Sequence, residues 1–315
     1  MFGILKRNNP LVMVAREKGK PGHKLIWELL IFLLVYLVGR ILRFIPPAVL
    51  DMQKVSELIS TDITAVPGYM RGILGSTPWM SIIGLFSTAL VIGVCLFYCG
   101  VIEKRPIKTV GFVKRGGRDY IVGLLIGLGL FAAVAGIGAL FSLTGLGGFR
   151  VNAASDLSPM ILLFLVGYAV QGMSEEVLCR GYLMISAARK NSLAAAVIVS
   201  SLVFTALHVF NSGFGVLPAV NVFLFGFFMA VYMLRTGSIW GVAAIHSAWN
   251  FAEGNVFGFS VSGTSTAPSL LRFGQTGADL LSGGEFGPEG SVITTAVLLA
   301  AIVIVLYKSR SKKDF

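Results

Sequence analysis

The chain has 315 residues, of which 55% are hydrophobic and only 13% charged, with a mean hydropathy of +0.82 and a formal net charge of +11. Soluble domains carry about a quarter charged residues, so the composition excludes an ordinary soluble globular protein and points to a polytopic membrane protein.

Taken in chain order, eight apolar runs approach the roughly 20 residues of helix needed to cross a ~30 Å hydrocarbon core. They are 26–45, 79–100, 120–143, 158–187, 192–210, 216–235, 239–256 and 291–307. A membrane β-barrel would show alternating segments of about 10 residues, and these runs do not alternate. The fold class expected is therefore all-α, a polytopic bundle of about eight transmembrane helices. The first run begins near residue 25, is long and lacks a small-residue cleavage site, so it is expected to remain as a span. Residues 46–78 hold Pro46, Pro47, Pro67 and Pro78 among mixed charges, and read as an outer loop with a short interfacial helix. Residues 257–290 are rich in Gly, Ser and Thr and read as a long outer loop, partly disordered or lying over the bundle. The expected organisation is a basic cytoplasmic segment at 1–25, a membrane domain at 26–307 and a basic cytoplasmic tail at 308–315.

The net charge invites a nucleic-acid partner, and its distribution argues against one. Nineteen of the 26 lysines and arginines fall on the side of the N-terminus and four on the other, while Arg40, Arg43 and Arg180 lie within spans or at their ends. That bias is the positive-inside pattern, which predicts both termini in the cytoplasm. Most of the basic excess thus reads as topology and contact with lipid headgroups. The partners expected are the lipid bilayer and a peptide or membrane-protein substrate, with no nucleic acid, and the location expected is a plasma membrane of bacterial or archaeal type. Cys95, Cys99 and Cys179 make no disulfide framework and read as buried packing residues.

Charge is expensive in hydrocarbon, so ionisable residues inside spans mark candidate sites. Glu175, Glu176 and Arg180 lie in "MSEEVLCRGYL" at the end of the fourth run. Of three histidines, His23 is in the basic N-terminal segment, His208 ends "LVFTALH" and His246 lies in "AAIHSAWN". A membrane histidine is commonly an interhelical hydrogen-bonder, but two of them with two glutamates form a constellation. At a rise of 1.5 Å per residue, Glu175, His208 and His246 fall within about one helical turn of the same depth. Glu176 and Arg180 are spaced i, i+4 and can pair along one face, which leaves Glu175, about 100° round the helix, for another partner. His246 and Asn250 are also i, i+4. A glutamate and two imidazoles can activate water, either directly or through a bound metal such as zinc, and Asn250 can donate to a developing oxyanion. Ser247 and Asn221 fit simple interhelical bonding. The chain contains no HExxH, no GxSxG with a partner His and Asp, and no GK[ST] phosphate loop.

At these residues the sequence resembles the CPBP family, the CAAX prenyl proteases and bacteriocin-processing or immunity proteins also called Abi. The family pattern EExxxR, FxxxH and HxxxN is matched by Glu175, Glu176 and Arg180, by Phe204 and His208, and by His246 and Asn250. The resemblance covers about 155–255, the implied protease core, and implies an intramembrane endopeptidase. It implies that Glu175 and His208 activate water, that His246 and Asn250 receive the tetrahedral oxygen, and that Glu176 and Arg180 hold the site together. The metalloprotease description attached to the family makes Glu175, His208 and His246 the candidate ligands of zinc or another divalent metal, with a metal-free mechanism equally open. Two competing readings are a non-catalytic scaffold or self-immunity protein and a proton-coupled transporter using the same groups as a relay. The intact motifs favour the protease over the scaffold, and the absence of visible repeats disfavours the transporter.

Overall fold

The computed structural model describes residues 9–143, 145, 147–154, 158–264 and 268–308. Residues 1–8 of the basic N-terminal segment, 309–315 of the basic tail and 265–267 of the outer loop lie outside them.

Helices occur at all eight expected positions. They run in the order α1 (Pro10–Lys18), α2 (Leu25–Leu50), α3 (Met52–Thr61), α4 (Val66–Ser76), α5 (Pro78–Ser87), α6 (Ala89–Phe97) and α7 (Gly116–Leu143). After strand β1 (Gly147–Ala154) come α8 (Met160–Glu176), α9 (Ile185–Ala188), α10 (Leu193–Ala206), α11 (Val216–Thr236) and α12 (Ile239–Phe251). Strand β2 (Leu271–Gly277), α13 (Asp279–Ser282) and α14 (Val292–Lys308) complete the order. The stretches Leu25–Leu50, Pro78–Ile102, Gly116–Leu143, Met160–Ala188 and Val216–Thr236 are long and apolar enough to cross a membrane, while α10 and α14 are shorter apolar helices. Large exposed side chains such as Leu34, Ile41, Leu125, Leu140, Leu162 and Val303 give the bundle an apolar exterior suited to lipid.

Three features depart from the sequence expectation. The segment after the first span is mostly helical (α3 and α4), and α2 runs through Pro46 and Pro47 to Leu50. Proline removes an N–H donor from a helix interior, yet α2 continues for another turn on the rest of its ladder. Second, β1 and β2 form a two-stranded antiparallel sheet, Phe149 facing Gln275, within an otherwise helical fold. Third, α10 ends at Ala206, so the expected span 192–210 is a short helix followed by a turn.

Small residues decide how closely the central helices approach. A Cβ at Gly123 would lie 2.3 Å from the Gly241 carbonyl oxygen, and one at Gly127 would lie 2.4 Å from that of Ile245. The backbones of α7 and α12 therefore touch only because both positions lack side chains, as in close-packed membrane helices generally. Gly172 of α8 does the same against Ser247. Helix α12 is held between α7 and α8, and its residues Gly241–Asn250 are buried.

Two polar fastenings close the ends of the bundle. On the N-terminal side, Arg105 is fully enclosed and donates to Glu103 Oε2 (2.5 Å), Thr109 Oγ1 (2.7 Å) and the Gly181 carbonyl (3.0 Å). Arg189 bonds Glu103 Oε1 and lies 3.5 Å from Glu28 Oε1. Ser186 Oγ also donates to Glu103, at 3.0 Å. Helix α1 is docked beside this cluster, with Val12 and Ala15 enclosed and Arg16 donating to the carbonyls of Ala188 and Arg189. At the opposite end Asn221 donates to the carbonyls of Glu289 and Ser291 and accepts from Thr295 Oγ1. Asn211 Nδ2 donates to the Ser262 carbonyl, so the outer loop lies over the bundle. The three cysteines are free and buried.

Removing one member of a buried ion cluster leaves charge uncompensated and typically costs about 3–5 kcal/mol. Glu103→Ala, which strands Arg105 and Arg189 together, is expected to lower stability by about that amount. Thermal unfolding of the detergent-solubilised protein measures it, and an unchanged Tm would refute the structural weight given to this fastening.

Candidate functional site

Helix α8 passes without a break into a π-helical stretch, Val177–Met184, immediately after the two glutamates. Such π-stretches widen the helical register and are frequent at functional sites. Here two of its carbonyls serve other segments, Cys179 accepting from Ser200 Oγ of α10 at 2.8 Å and Gly181 from Arg105 in the segment after α6. Glu176 and Arg180 still meet along one face, Nη1 to Oε1 at 3.1 Å, with both side chains fully enclosed. The guanidinium carbon of Arg180 stands 4.3 Å from the centroid of the Phe204 ring, which supplies a cation–π contact. Gly226 of α11 makes the space, since a Cβ there would fall 2.9 Å from Arg180 Nη2.

The same Glu176 oxygen accepts from His246 Nδ1 at 2.8 Å. Because a carboxylate only accepts, Nδ1 carries a proton, and Nε2 is directed to the other glutamate, 3.7 Å from Glu175 Oε2. Phe204 and Phe225 pack edge-on against the His246 ring, with centroids 5.8 and 5.2 Å away. His246 is thereby fixed by a carboxylate at one nitrogen and by aromatic edges on its flanks.

Glu175 is different. Its side chain keeps 26% exposure, whereas that of Glu176 has none. Oε1 accepts from Gln171 Nε2 at 2.6 Å, and Oε2 has no hydrogen-bond partner. Gln171 in turn accepts from Asn250 Nδ2 at 3.0 Å. One glutamine thus connects the carboxylate to the asparagine, and it fixes the orientation of both amides. One N–H of Asn250 remains for another acceptor.

His208 lies in the turn just past α10 rather than within the helix. Its Nδ1 bonds the Phe204 carbonyl at 2.8 Å, and its ring packs on that of Phe204 with centroids 4.8 Å apart. With a carbonyl as acceptor Nδ1 is the protonated nitrogen, which leaves Nε2 with a lone pair. Glu175, His208, His246 and Asn250 all line one cavity of about 660 Å³, together with Gln171, Phe204 and Phe225. All seven sequence-matched positions are therefore in or directly behind a single site: four on the cavity wall with Phe204, and Glu176 and Arg180 enclosed behind His246.

The donor chemistry would suit a metal, since both imidazoles present Nε2. The positions do not: among the described residues no three His, Cys, Asp or Glu side chains converge as a ligand set. The expected ligands Glu175, His208 and His246 share a cavity without forming a coordination sphere.

Sequence reasoning missed several residues of this cavity. Gln171 precedes Glu175 by one helical turn, a spacing that was available as a signal. Arg40 and Arg43 of α2 line the wall as well. Glu289 comes from the outer loop, accepts from Trp249 Nε1 at 2.8 Å and from Ser262 Oγ, and carried no sequence signal. Ser247 donates to Ala243 of its own helix and bonds the Tyr120 side chain of α7, and Asn221 fastens α14 and the outer loop, as simple bonding residues would.

The fold and site together define a polytopic α-helical membrane protein with an acid–imidazole centre inside the bundle. Comparison with known families is specific about this centre: residues 157–252 match the Rce1-like family of type II CAAX prenyl endopeptidases. The match covers a little under a third of the chain and contains every helix that contributes a motif residue, so this segment is similar to a CAAX-type intramembrane protease. No curated protein matches the chain.

Arg180→Ala removes the cation from a fully enclosed carboxylate, which typically costs about 3–5 kcal/mol. The expected result is a large fall in Tm, with Arg180→Lys intermediate because a point charge replaces the planar fork. An unaltered melting curve for Arg180→Ala would show that His246 alone compensates Glu176.

Proposed function

We propose that the protein is an intramembrane endopeptidase that hydrolyses a peptide bond of a membrane-associated peptide or protein. The observation that carries this reading is the asymmetry between the adjacent glutamates. Glu176 is fully enclosed, neutralised by Arg180 and committed to His246, whereas Glu175 keeps 26% exposure on the wall of a cavity it shares with two imidazoles and an amide donor.

In the proposed mechanism a water molecule lies between Glu175 and the Nε2 lone pair of His208. As its oxygen forms a bond to the scissile carbonyl carbon, its proton passes to Glu175, which acts as general base. The carbonyl oxygen becomes an oxyanion and accepts from the remaining N–H of Asn250 and from Nε2–H of a doubly protonated His246. Glu176 holds His246 at Nδ1 and supports that protonation state. The intermediate collapses with cleavage of the C–N bond, and the proton held by Glu175 passes to the departing amine. Gln171 is a positioning residue that aligns Glu175 with Asn250. No step passes through a metal ion, and both chain termini face the cytoplasm.

Cleavage of a quenched-fluorescent farnesylated peptide by the reconstituted protein tests the reading. Glu175→Gln, His208→Ala and His246→Ala are each expected to reduce kcat by about a thousandfold or more, the combined scale of general-base and oxyanion contributions. Each variant should remain folded and membrane-inserted. Full activity of Glu175→Gln would remove the mechanism. Activity is expected to survive chelation, and loss on chelation with recovery on adding zinc would restore the metal reading.

Gln171→Leu deletes two hydrogen bonds, one of them to a carboxylate, and is expected to lower kcat about tenfold or more with little change in KM. Loss confined to KM would instead make Gln171 a substrate contact.

A further inference from the structure

Glu175 lies on the wall of a cavity whose two ends are unlike, and the proposed mechanism makes no use of the difference. The wall starts well short of the knot formed by Glu28, Glu103, Arg105 and Arg189. Its nearest residues are Tyr36, roughly 12 Å beyond Glu28 on α2, Leu178, roughly 16 Å before Arg189, and Phe204, roughly 16 Å beyond Leu193 on α10, at 1.5 Å per residue. Phe32, Tyr182, Met184 and Val197 are buried in that interval, with the Phe32 and Tyr182 rings stacked at 6.1 Å. Helices α11 and α12 reach the knot end at Leu234 and Ile239. There the Leu234 carbonyl accepts from Asn9 Nδ2, and the Ile239 N–H donates to the Gly111 carbonyl. Their wall residues Asn221, Phe225, His246 and Asn250 all lie in the halves of these helices away from that end. The cavity thus has a packed floor toward the knot.

The other end is open. Among the described wall residues the exposed ones are Gly72 of α4, Phe210 and Ser212 in the turn after α10, and Thr264 of the outer loop. Each follows a helix that runs away from the knot, namely α2, α10 and α12. The outer loop roofs part of this end with Val261 and Ser262, and the exposed residues border what it leaves uncovered. Apolar side chains stand at the same rim, Phe210 90% and Val216 85% exposed, as suits contact with a membrane surface. The knot end, by contrast, carries the basic excess, since nineteen of the 26 lysines and arginines fall on the side of the N-terminus. The positive-inside rule puts that end in the cytoplasm and the open end outside.

We propose that the site opens to the extracytoplasmic face and that its substrate is an exported polypeptide segment lying at the outer membrane surface. A chain presented from the cytoplasm meets the ion knot and then the packed floor before it can reach Glu175. A chain presented from outside meets a cavity whose rim is exposed and whose wall keeps Glu175 26% exposed. The hydrolytic water enters by the same route, so both reactants reach the carboxylate without disturbing the buried ion cluster. The apolar rim holds such a segment at the lipid surface beside the opening. The fate of the chain rests on the endopeptidase reading, but the direction of the opening is tested without turnover.

The test labels single cysteines with a membrane-impermeant sulfonated maleimide in right-side-out and inside-out membrane vesicles that contain the full-length protein. Ser212→Cys reports the rim, Leu85→Cys and Leu207→Cys the cavity wall, and Lys190→Cys the knot end, where the side chain is exposed. Cys95, Cys99 and Cys179 are buried, so the unsubstituted protein gives the baseline. The rim and wall cysteines are expected to label in right-side-out vesicles and not in inside-out ones, with Lys190→Cys doing the reverse. Ser212→Cys and Lys190→Cys, both at exposed turns, decide the direction should a wall variant not fold. Labelling of wall and Lys190 cysteines from the same side overturns the proposal, as does an inverted pattern, or wall cysteines that label from neither side. The same vesicles then receive the quenched-fluorescent farnesylated peptide made impermeant by sulfonate groups. Cleavage that Glu175→Gln abolishes is expected in right-side-out vesicles alone, and cleavage in inside-out vesicles alone overturns the substrate assignment. Outward labelling in a protein that cleaves from neither side would keep the opening and remove the protease.

Discussion

The ion pair of Glu176 and Arg180, enclosed in a membrane bundle, is the constraint on which the rest of this structure depends. A charge stripped of water in a low-dielectric interior is costly unless complementary groups stand against it. Four helices supply those complements: Arg180 on the π-continuation of α8, Phe204 of α10 beneath the guanidinium, Gly226 of α11 beside it, and His246 of α12 on the carboxylate. Satisfying Glu176 therefore orients His246, and orienting His246 directs its second nitrogen toward Glu175. The reactive side of the site follows from the structural side.

The two ends of the bundle are fastened and its centre is left hollow. Glu28, Glu103, Arg105 and Arg189 tie α2, the segment after α6 and the end of the fourth span into one knot at the N-terminal side. Asn221, Trp249 and Glu289 bind the outer loop over the opposite end. Between them the cavity lies among α2, α8, α10 and α12, with no dense apolar packing to fill it. Helix backbones that approach through Gly123, Gly127 and Gly172 give the frame the rigidity such a cavity needs.

Much of the candidate site was legible in the sequence because membrane helices make charge conspicuous. Few ionisable residues survive within apolar runs, so Glu175, Glu176, Arg180, His208 and His246 stood out, and helical spacing correctly paired Glu176 with Arg180. Depth reckoning worked because the rise of a helix is nearly constant. It faltered at His208, where α10 stops short and a turn carries the imidazole, since the apolar character of "ALHVF" does not reveal a broken helix. The two-stranded sheet and the extent of helix in 52–76, beyond the one short interfacial helix expected, were also hidden, because Gly-, Ser- and Pro-containing stretches read as loop whatever structure tertiary contacts impose.

By itself the sequence determined that the chain is a helical membrane bundle and which ionisable residues lie within its apolar runs, since hydropathy and helical rise are local properties. Only the tertiary structure decided how those residues divide their work. Sequence adjacency makes Glu175 and Glu176 equivalent; what separates them is that one is enclosed by three other helices and the other borders a cavity. The same holds for Gln171 and Glu289, ordinary polar residues by composition whose significance lies in the wall they share with Glu175, and for Arg40 and Arg43, whose place in an apolar run does not say what they face. Burial and convergence across helices are relations between distant segments, and no local pattern encodes them.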